Sequence, residues 1–436
     1  MTKYLILGTG VAALSAAEAI RRADAQGELN LVSADPHGFY SRPGLAYFLT
    51  AEARESQLYP YQPEDYKNLK AHFWHGTVVR ILPDEHQVEL SDGKRLSYDR
   101  LLIAVGSSAI RLNVPGAKLE GVVKLDDLED ARRIVSLSKR ARTAVVVGGG
   151  ITALELAEGL AARKVKVHLL IRTAHYWSNV LDQVESGIIE KRLADEQISL
   201  HPESELVEIL GQRGKVAGVR LADGQQVACE LLAYAIGIQP RLELAKEAGI
   251  ACERGILADN CLRTNLPDIF AAGDVAQVYD PASGRSVIDS LWGPAREQGL
   301  VAGLNMAGQE ATYTKSVPFN VTRLAGLTTT IIGAVGSGHD GDPVTIARGD
   351  SETWRDLPDA IVAQNGFDVN HLRLMVASKT IVGAMVMGDQ KLSSALQVII
   401  RDRVDISPIR ERLIAPGAPI ADLLAHFWGQ LHTSQH

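Results

Sequence analysis

The segment KYLILGTGVAALSAAEAI, Lys3 to Ile20, returns in outline as TAVVVGGGITALELAEGL, Thr143 to Leu160. Each copy is a run of strand-forming apolar residues, a glycine turn and an alanine-rich stretch with helical periodicity. The first carries Gly8, Gly10 and Ala13, the second Gly148, Gly150 and Ala153, so both read G-x-G-x-x-A. In that spacing the first glycine permits the tight turn and the second lets a pyrophosphate approach the backbone. The small third residue lets helix and strand pack closely. The free N–H groups of the helix then face the phosphates. One such match constrains little, because a plain β–α turn also satisfies it. Two matches in the right context predict two dinucleotide-binding units.

The end of the next strand separates the two units. After the first copy, LNLVSAD ends at Asp35, where a carboxylate is expected for the ribose hydroxyls; an exposed loop aspartate is the plainer alternative. After the second copy, VHLLIR ends at Arg172. A guanidinium accepts no bond from a ribose, but its planar fork suits a 2′-phosphate. Arg172, with His175 as a second contact, therefore favours NADPH over NADH. A solvated arginine with NADH still bound is the competing account.

The bulk numbers limit the alternatives. A chain of 436 residues exceeds one ordinary core, and 46% hydrophobic with 22% charged residues suits a globular protein. A net charge of -7 argues against nucleic acid as a partner. Cys229, Cys252 and Cys261 form no CxxC pair, so no metal site is expected, and such thiols fit a reducing compartment. The opening residues MTKYLILGTG run straight into the turn and read as a strand, not a signal peptide. No apolar run reaches about 18 residues, so a cytoplasmic location is expected.

Further along, four stretches complete a pattern: YDRLLIAVGS (Tyr98–Ser107), AIGIQP (Ala235–Pro240), TNLPDIFAAGDVA (Thr264–Ala276) and LWGPAREQG (Leu291–Gly299). With the paired glycine turns, they make the chain resemble the FAD- and NAD(P)-dependent two-dinucleotide reductases. That group includes glutathione-reductase-like enzymes, ferredoxin and rubredoxin reductases, NADH oxidases and the flavin half of assimilatory nitrite reductase. The resemblance implies an α/β fold of two Rossmann-like domains with a C-terminal α+β interface domain. FAD would occupy 1–112 and 243–316, NAD(P)H 113–242, and the interface domain 317–436. It also implies that Ala104 and Gly106 lie on the return into the FAD domain and Gly237 on the crossing back. Asp274, after Gly273, would bond the flavin ribityl chain, and Ala295 and Trp292 would face the isoalloxazine. The residues alone agree on Asp274: it follows a shielded strand and needs a hydroxyl or N–H partner, unless it is a helix N-cap.

One absence narrows the resemblance. The disulfide-reducing members carry cysteines soon after the first ribose acid, whereas HGFYSRPGLAYFLT, His37 to Thr50, has none. Electrons should leave the flavin directly. Tyr40-Ser41-Arg42-Pro43 matches the Tyr-x-Arg-Pro segment of the ferredoxin- and nitrite-reductase branch, which places Arg42 near the FAD pyrophosphate. Many ferredoxin reductases then carry a lysine paired with a glutamate near flavin N5. Here the lysine position is Tyr47, while the glutamate persists as Glu155. Without the lysine, the Glu155 charge is less compensated and its pKa is expected to rise. Tyr47 would bond Glu155 or shield the flavin, and a solvated helix residue is the plainer account of Glu155.

Beyond residue 317, TTTIIGAVGSG and LRLMVASKTIVGAMVMG read as strands and SSALQVIIRDRVD as an amphipathic helix. In the tail, Ile420, Leu423, Leu424, Phe427, Trp428 and Leu431 share a helical face, reached through Pro416 and Pro419. Its polar face lacks lysine and arginine, which favours packing on protein over a membrane. His72, His75 and His371 read as isolated structural histidines. The whole predicts an FAD-dependent NAD(P)H oxidoreductase, homodimeric by analogy. Its acceptor would be a small redox protein or a partner reductase subunit, with a quinone, oxygen or an NAD(P)H-responsive interaction role as alternatives. Glu155, Trp292 and Tyr47 are the residues expected at the reacting rings.

Overall fold

In the computed structural model, residues 1–281, 284–335, 370–415 and 417–433 are described. Pro416 and the 336–338 end of the TTTIIGAVGSG stretch lie outside them.

Each repeat unit seeds a five-stranded parallel sheet. The first runs in the order Ile269–Ala271, Arg100–Ile103, Lys3–Leu7, Glu28–Ser33, His72–His75. The second runs Ile198–His201, Lys166–Leu170, Thr143–Val147, Leu231–Tyr234, Val122–Lys124. In both, the strand before the glycine turn is central. Helices and antiparallel meanders cover the faces, which is why Leu5, Ile6 and Leu7, or Ala144, Val145 and Val146, are buried without alternation. The chain leaves the first unit on Ser107–Ala109 and returns on Ile238–Pro240, and these two strands pair antiparallel.

Helix Val11–Ala23 packs along helix Trp292–Met306, and two glycines set the distance. A Cβ at Gly299 would sit 2.2 Å from the Ala12 carbonyl oxygen, and one at Gly303 2.5 Å from that of Ala16. No side chain fits at that separation, so the seam draws the late helix over the first glycine turn.

The C-terminal part is a four-stranded antiparallel sheet ordered Phe319–Leu324, Leu327–Gly333, Ile381–Met387, His371–Val376. One face shares a core with the second unit, Leu327, Ile331 and Met385 clustering with Leu154 and Leu156. The other face is covered by helices Ser393–Arg401 and Ile420–Thr433. Leu423, Leu424 and Phe427 of the tail helix are buried there against Ile399 and Ile406, so its apolar face is filled by its own domain. No helix among the described residues is long and apolar enough to cross a membrane.

One expectation needs correcting. His371 is not isolated: its Nε2 lies 3.3 Å from the fully buried Glu185 carboxylate, which also takes two bonds from Arg373 at 2.7 and 2.9 Å. The pair ties the C-terminal sheet to helix Gln183–Asp195 of the second unit. A buried carboxylate needs such a partner, and no sequence pattern advertises it.

Candidate functional site

The two glycine turns are built alike. Gly8 has φ +116° and its N–H donates to the Val32 carbonyl at 2.7 Å. Gly148 has φ +143° and donates to the Leu170 carbonyl at 3.1 Å. A Cβ at Gly8 would lie 2.3 Å from the Ala104 oxygen, and one at Gly148 2.2 Å from that of Ala235. Both positions thus require glycine for conformation and for space. Gly10 and Gly150 cap the following helices with no side-chain bond to the first-turn N–H groups. Those donors have no side-chain cap, the arrangement that suits an anion at each turn. Ala13 and Ala153 are fully buried behind them, in the packing role the motif assigns.

A cleft of about 650 Å³ opens over the first turn. Gly8, Gly10, Asp35, Arg42, Ala104, Gly106, Gly273, Asp274, Trp292 and Ala295 all line it, and Glu155 reaches it from the second unit. Asp35 lies just past strand Glu28–Ser33, where Tyr40 donates to its Oδ2 at 3.1 Å and the His37 N–H to its Oδ1 at 2.9 Å. Its orientation is therefore fixed. The Tyr40 hydroxyl also accepts the Leu128 N–H at 3.1 Å, which joins the two units across the cleft. Arg42 donates to the Asp126 carbonyl at 2.7 Å. Burial works against its charge, but Tyr40, Asp126, Asp35 and Asp274 around it hold the guanidinium protonated above its ordinary value. Asp274 sits in the 3-10 turn Gly273–Val275 and accepts from the Ser107 hydroxyl at 2.7 Å. It lies inside that turn and not at a helix N-cap, and Ser107 supplies a hydroxyl partner from within the chain. Trp292 opens helix Trp292–Met306 and stacks on Phe39 at 5.8 Å between centroids.

Tyr47 lies elsewhere. It is buried on helix Leu45–Thr50 and lines a small pocket of about 20 Å³ behind the cleft, with Glu52, Glu155, Glu158 and Arg323. The shielding role expected for it meets this placement badly, since its ring is absent from the cleft wall. The cation near Glu155 also departs from expectation. Arg323, from strand Phe319–Leu324, enters that pocket, bonds both Glu52 oxygens at 2.7 Å and rests over the Tyr47 ring at 5.8 Å. A positive charge is thus present, supplied from the C-terminal sheet.

Around the second turn, Arg172 is exposed just past strand Lys166–Leu170. His175 is exposed at its ring to 41%, with Nδ1 3.6 Å from Glu190. Gly237 has φ +121° and its carbonyl accepts the Ile110 N–H at 3.0 Å. These residues do not line the large cleft; they belong to the second unit and its crossing strand. Sequence reasoning misses Ser107, Tyr40 and Arg323. The first two sit inside recognisable motifs and are detectable as hydroxyls beside an expected carboxylate. Arg323 carries no local signal.

Comparison with known proteins agrees with this geometry. A family model described as pyridine nucleotide-disulphide oxidoreductase matches residues 2–299. The NADH-dependent phenylglyoxylate dehydrogenase subunit epsilon of Aromatoleum evansii is 27% identical over 98% of this chain and 98% of its own length. A rubredoxin-NAD(+) reductase of Ectopseudomonas oleovorans is 31% identical over 65% of this chain and 74% of that protein. Among solved structures, the ferredoxin reductase for the CYP199A2 system of Rhodopseudomonas palustris superposes with a TM-score of 0.83 at 21% identity, covering 97% of this chain and 99% of that one.

Proposed function

Because the chain belongs to the pyridine nucleotide-disulphide oxidoreductase family and is an FAD-dependent NAD(P)H oxidoreductase, we propose that it moves electrons from a nicotinamide through the flavin to a small redox protein or a partner reductase subunit. One observation supports this most: the first glycine turn, Asp35, Arg42 and Asp274 line a single cleft that Glu155 of the other unit also lines. The donor set fits FAD. The turn and Arg42 would hold the pyrophosphate, Asp35 the ribose, and Asp274 with Ser107 the polyol hydroxyls. The second turn, with Gly237 and Arg172, would hold the nicotinamide coenzyme.

Bound FAD supplies hydride acceptance and onward electron transfer. The chain's own residues orient and shield. Trp292 and Ala295 would lie against one side of the ring system, and Glu155 would position the nicotinamide on the other. No cysteine is among the cleft residues, so electrons would leave without a thiol relay. Arg172 would favour NADPH, assisted by His175. The FAD unit would comprise 1–112 with 243–316, the nicotinamide unit 113–242 and the interface domain 317–436. A homodimer and a cytoplasmic location complete the proposal. The acceptor assignment draws on the end-to-end match to a protein named as a dehydrogenase subunit and on the rubredoxin reductases. A membrane quinone fits less well, because the tail helix buries its apolar face in its own domain.

Anaerobic stopped-flow reduction of the holoprotein by NADPH and by NADH tests the reading. Rapid saturable flavin bleaching is expected, with NADPH the tighter donor. Equal or tighter NADH would remove the phosphate-reading role from Arg172. Absence of bleaching by either, with FAD bound, would refute the hydride-transfer reading.

A further inference from the structure

Helix Ile151–Ala162 carries two carboxyls one turn apart, Glu155 and Glu158. Glu155 is shared by the cleft and the pocket behind it; Glu158 belongs to the pocket alone and is nearly inaccessible to solvent, at 9%. One oxygen of Glu158 accepts the Gly326 N–H at 3.0 Å, from the turn between the first two strands of the C-terminal sheet. Arg323 lines the same pocket, with its fork committed to Glu52. The buried Tyr176 ring feels both Glu158 and Glu155, and its hydroxyl has no hydrogen-bond partner among the described residues. From helix Gln183–Asp195, Glu196 at its C-cap adds negative charge toward Glu158, while Arg192 is held by the Ala325 carbonyl at 2.6 Å. Glu158 therefore has around it the Glu155, Glu196 and Glu52 carboxylates, the committed Arg323 guanidinium, the Gly326 N–H and the Tyr47 and Tyr176 phenols.

We propose that Glu158 is a positioning residue for Glu155, a proton-holding carboxyl stored behind the flavin-facing one, and that Arg323 of the C-terminal sheet tunes how readily it gives that proton up. The inference rests on the reading of Glu155 as part of the hydride-transfer site. Two like charges one helical turn apart repel, and burial away from water makes the repulsion worse. A proton on Glu158 removes that repulsion from the pair. Burial is the main reason the proton stays, pushing the Glu158 carboxyl up to about 8; Arg323 opposes this, and Glu196 and Glu155 reinforce it. FAD bound in the cleft would supply hydride acceptance, two electrons with one proton, and so would add a negative charge near Glu155. If Glu158 then ionises, a second negative charge stands behind Glu155 and reduction becomes harder. The C-terminal sheet thereby takes part in setting the flavin's electron affinity.

The test is a redox titration of the holoprotein flavin against pH, without nicotinamide, on the wild type and on Glu158→Gln, which keeps the shape and cannot ionise. The two potential–pH curves should run parallel at neutral and acid pH and separate above about pH 8, the wild type becoming the harder to reduce. Infrared spectra at neutral pH should show a protonated-carboxyl band that Glu158→Gln removes. Arg323→Ala should move the separation to higher pH, and Arg323→Lys should return it towards the wild-type position. Parallel curves throughout, or an unchanged infrared band, would overturn the proposal. Glu155→Gln tests the reading beneath it: unaltered bleaching rate and coenzyme affinity would remove Glu155 from the site, whereas slowed bleaching with parallel Glu158 curves would refute this inference alone.

Discussion

Replacing Glu158 by glutamine should stabilise the folded protein, and the gain should grow with pH. An ordinary glutamate titrates near 4.5, and burial raises Glu158 to about 8. Between those values the folded state holds a proton that the unfolded chain has released, so wild-type stability falls as pH rises. A tenfold difference in proton affinity between the two states is worth about 1.4 kcal/mol. The penalty is therefore near zero at pH 4.5, about 3 kcal/mol at pH 7 and close to 5 kcal/mol above pH 8 by that conversion. Glutamine escapes all of it and keeps an acceptor for the Gly326 N–H. The assay is thermal unfolding of holoprotein for both forms at about pH 5, 7 and 8.5. The expected difference is small at the acid end and several degrees at the alkaline end. A difference that did not depend on pH would show that Glu158 does not titrate between its folded and unfolded values. A glutamine variant less stable at about pH 8.5 would mean that the carboxylate is charged and used, with Arg323 as a true partner, and would refute the reasoning outright.

Four other variants probe the geometry. Gly8→Val should yield colourless protein, since even a Cβ would stand 2.3 Å from the Ala104 oxygen; flavin absorbance after purification reads this directly. Asp274→Ala should weaken FAD retention about tenfold or more through loss of a charge-assisted bond, measured by flavin fluorescence on dilution. Arg172→Glu should weaken NADPH by at least about tenfold while leaving NADH within a few-fold, measured from the concentration dependence of bleaching. Arg373→Met leaves the fully buried Glu185 carboxylate with only the Asp182 N–H and His371 beside it and should cost about 3 kcal/mol; adding Glu185→Gln should recover most of the loss in the same unfolding assay.

Those variants divide along the line between what the chain advertises and what it conceals. Gly8, Gly148, Asp35 and Asp274 are legible because their work is done on neighbouring backbone: a positive φ, a carbonyl in the way of a Cβ, a carboxylate a fixed distance past a turn. Such constraints leave a local pattern, and a pattern repeated twice in one chain is hard to produce otherwise. The strand runs are legible too, since parallel strands covered on both faces read as continuous apolar segments. Tyr47, His371 and Arg323 belong to the other kind. Immediate neighbours define how each reads, yet each acts on a residue far away in the chain: Tyr47 beside Arg323, His371 on Glu185, Arg323 on Glu52 and Glu158. The missing lysine illustrates the difference. In the sequence its absence implies an uncompensated Glu155, because the motif places compensation in the same stretch of chain. The C-terminal sheet shares a core with the second unit, and that packing carries Arg323 into the small pocket that Glu155 also lines. Where a cation comes from is a property of domain packing, whereas the need for it is written in the local motif. That separation is also why Glu158 is silent in the sequence: on helix Ile151–Ala162 it reads as one more polar residue, and only its burial in the folded protein, beside the strand turn at Gly326, makes its proton consequential.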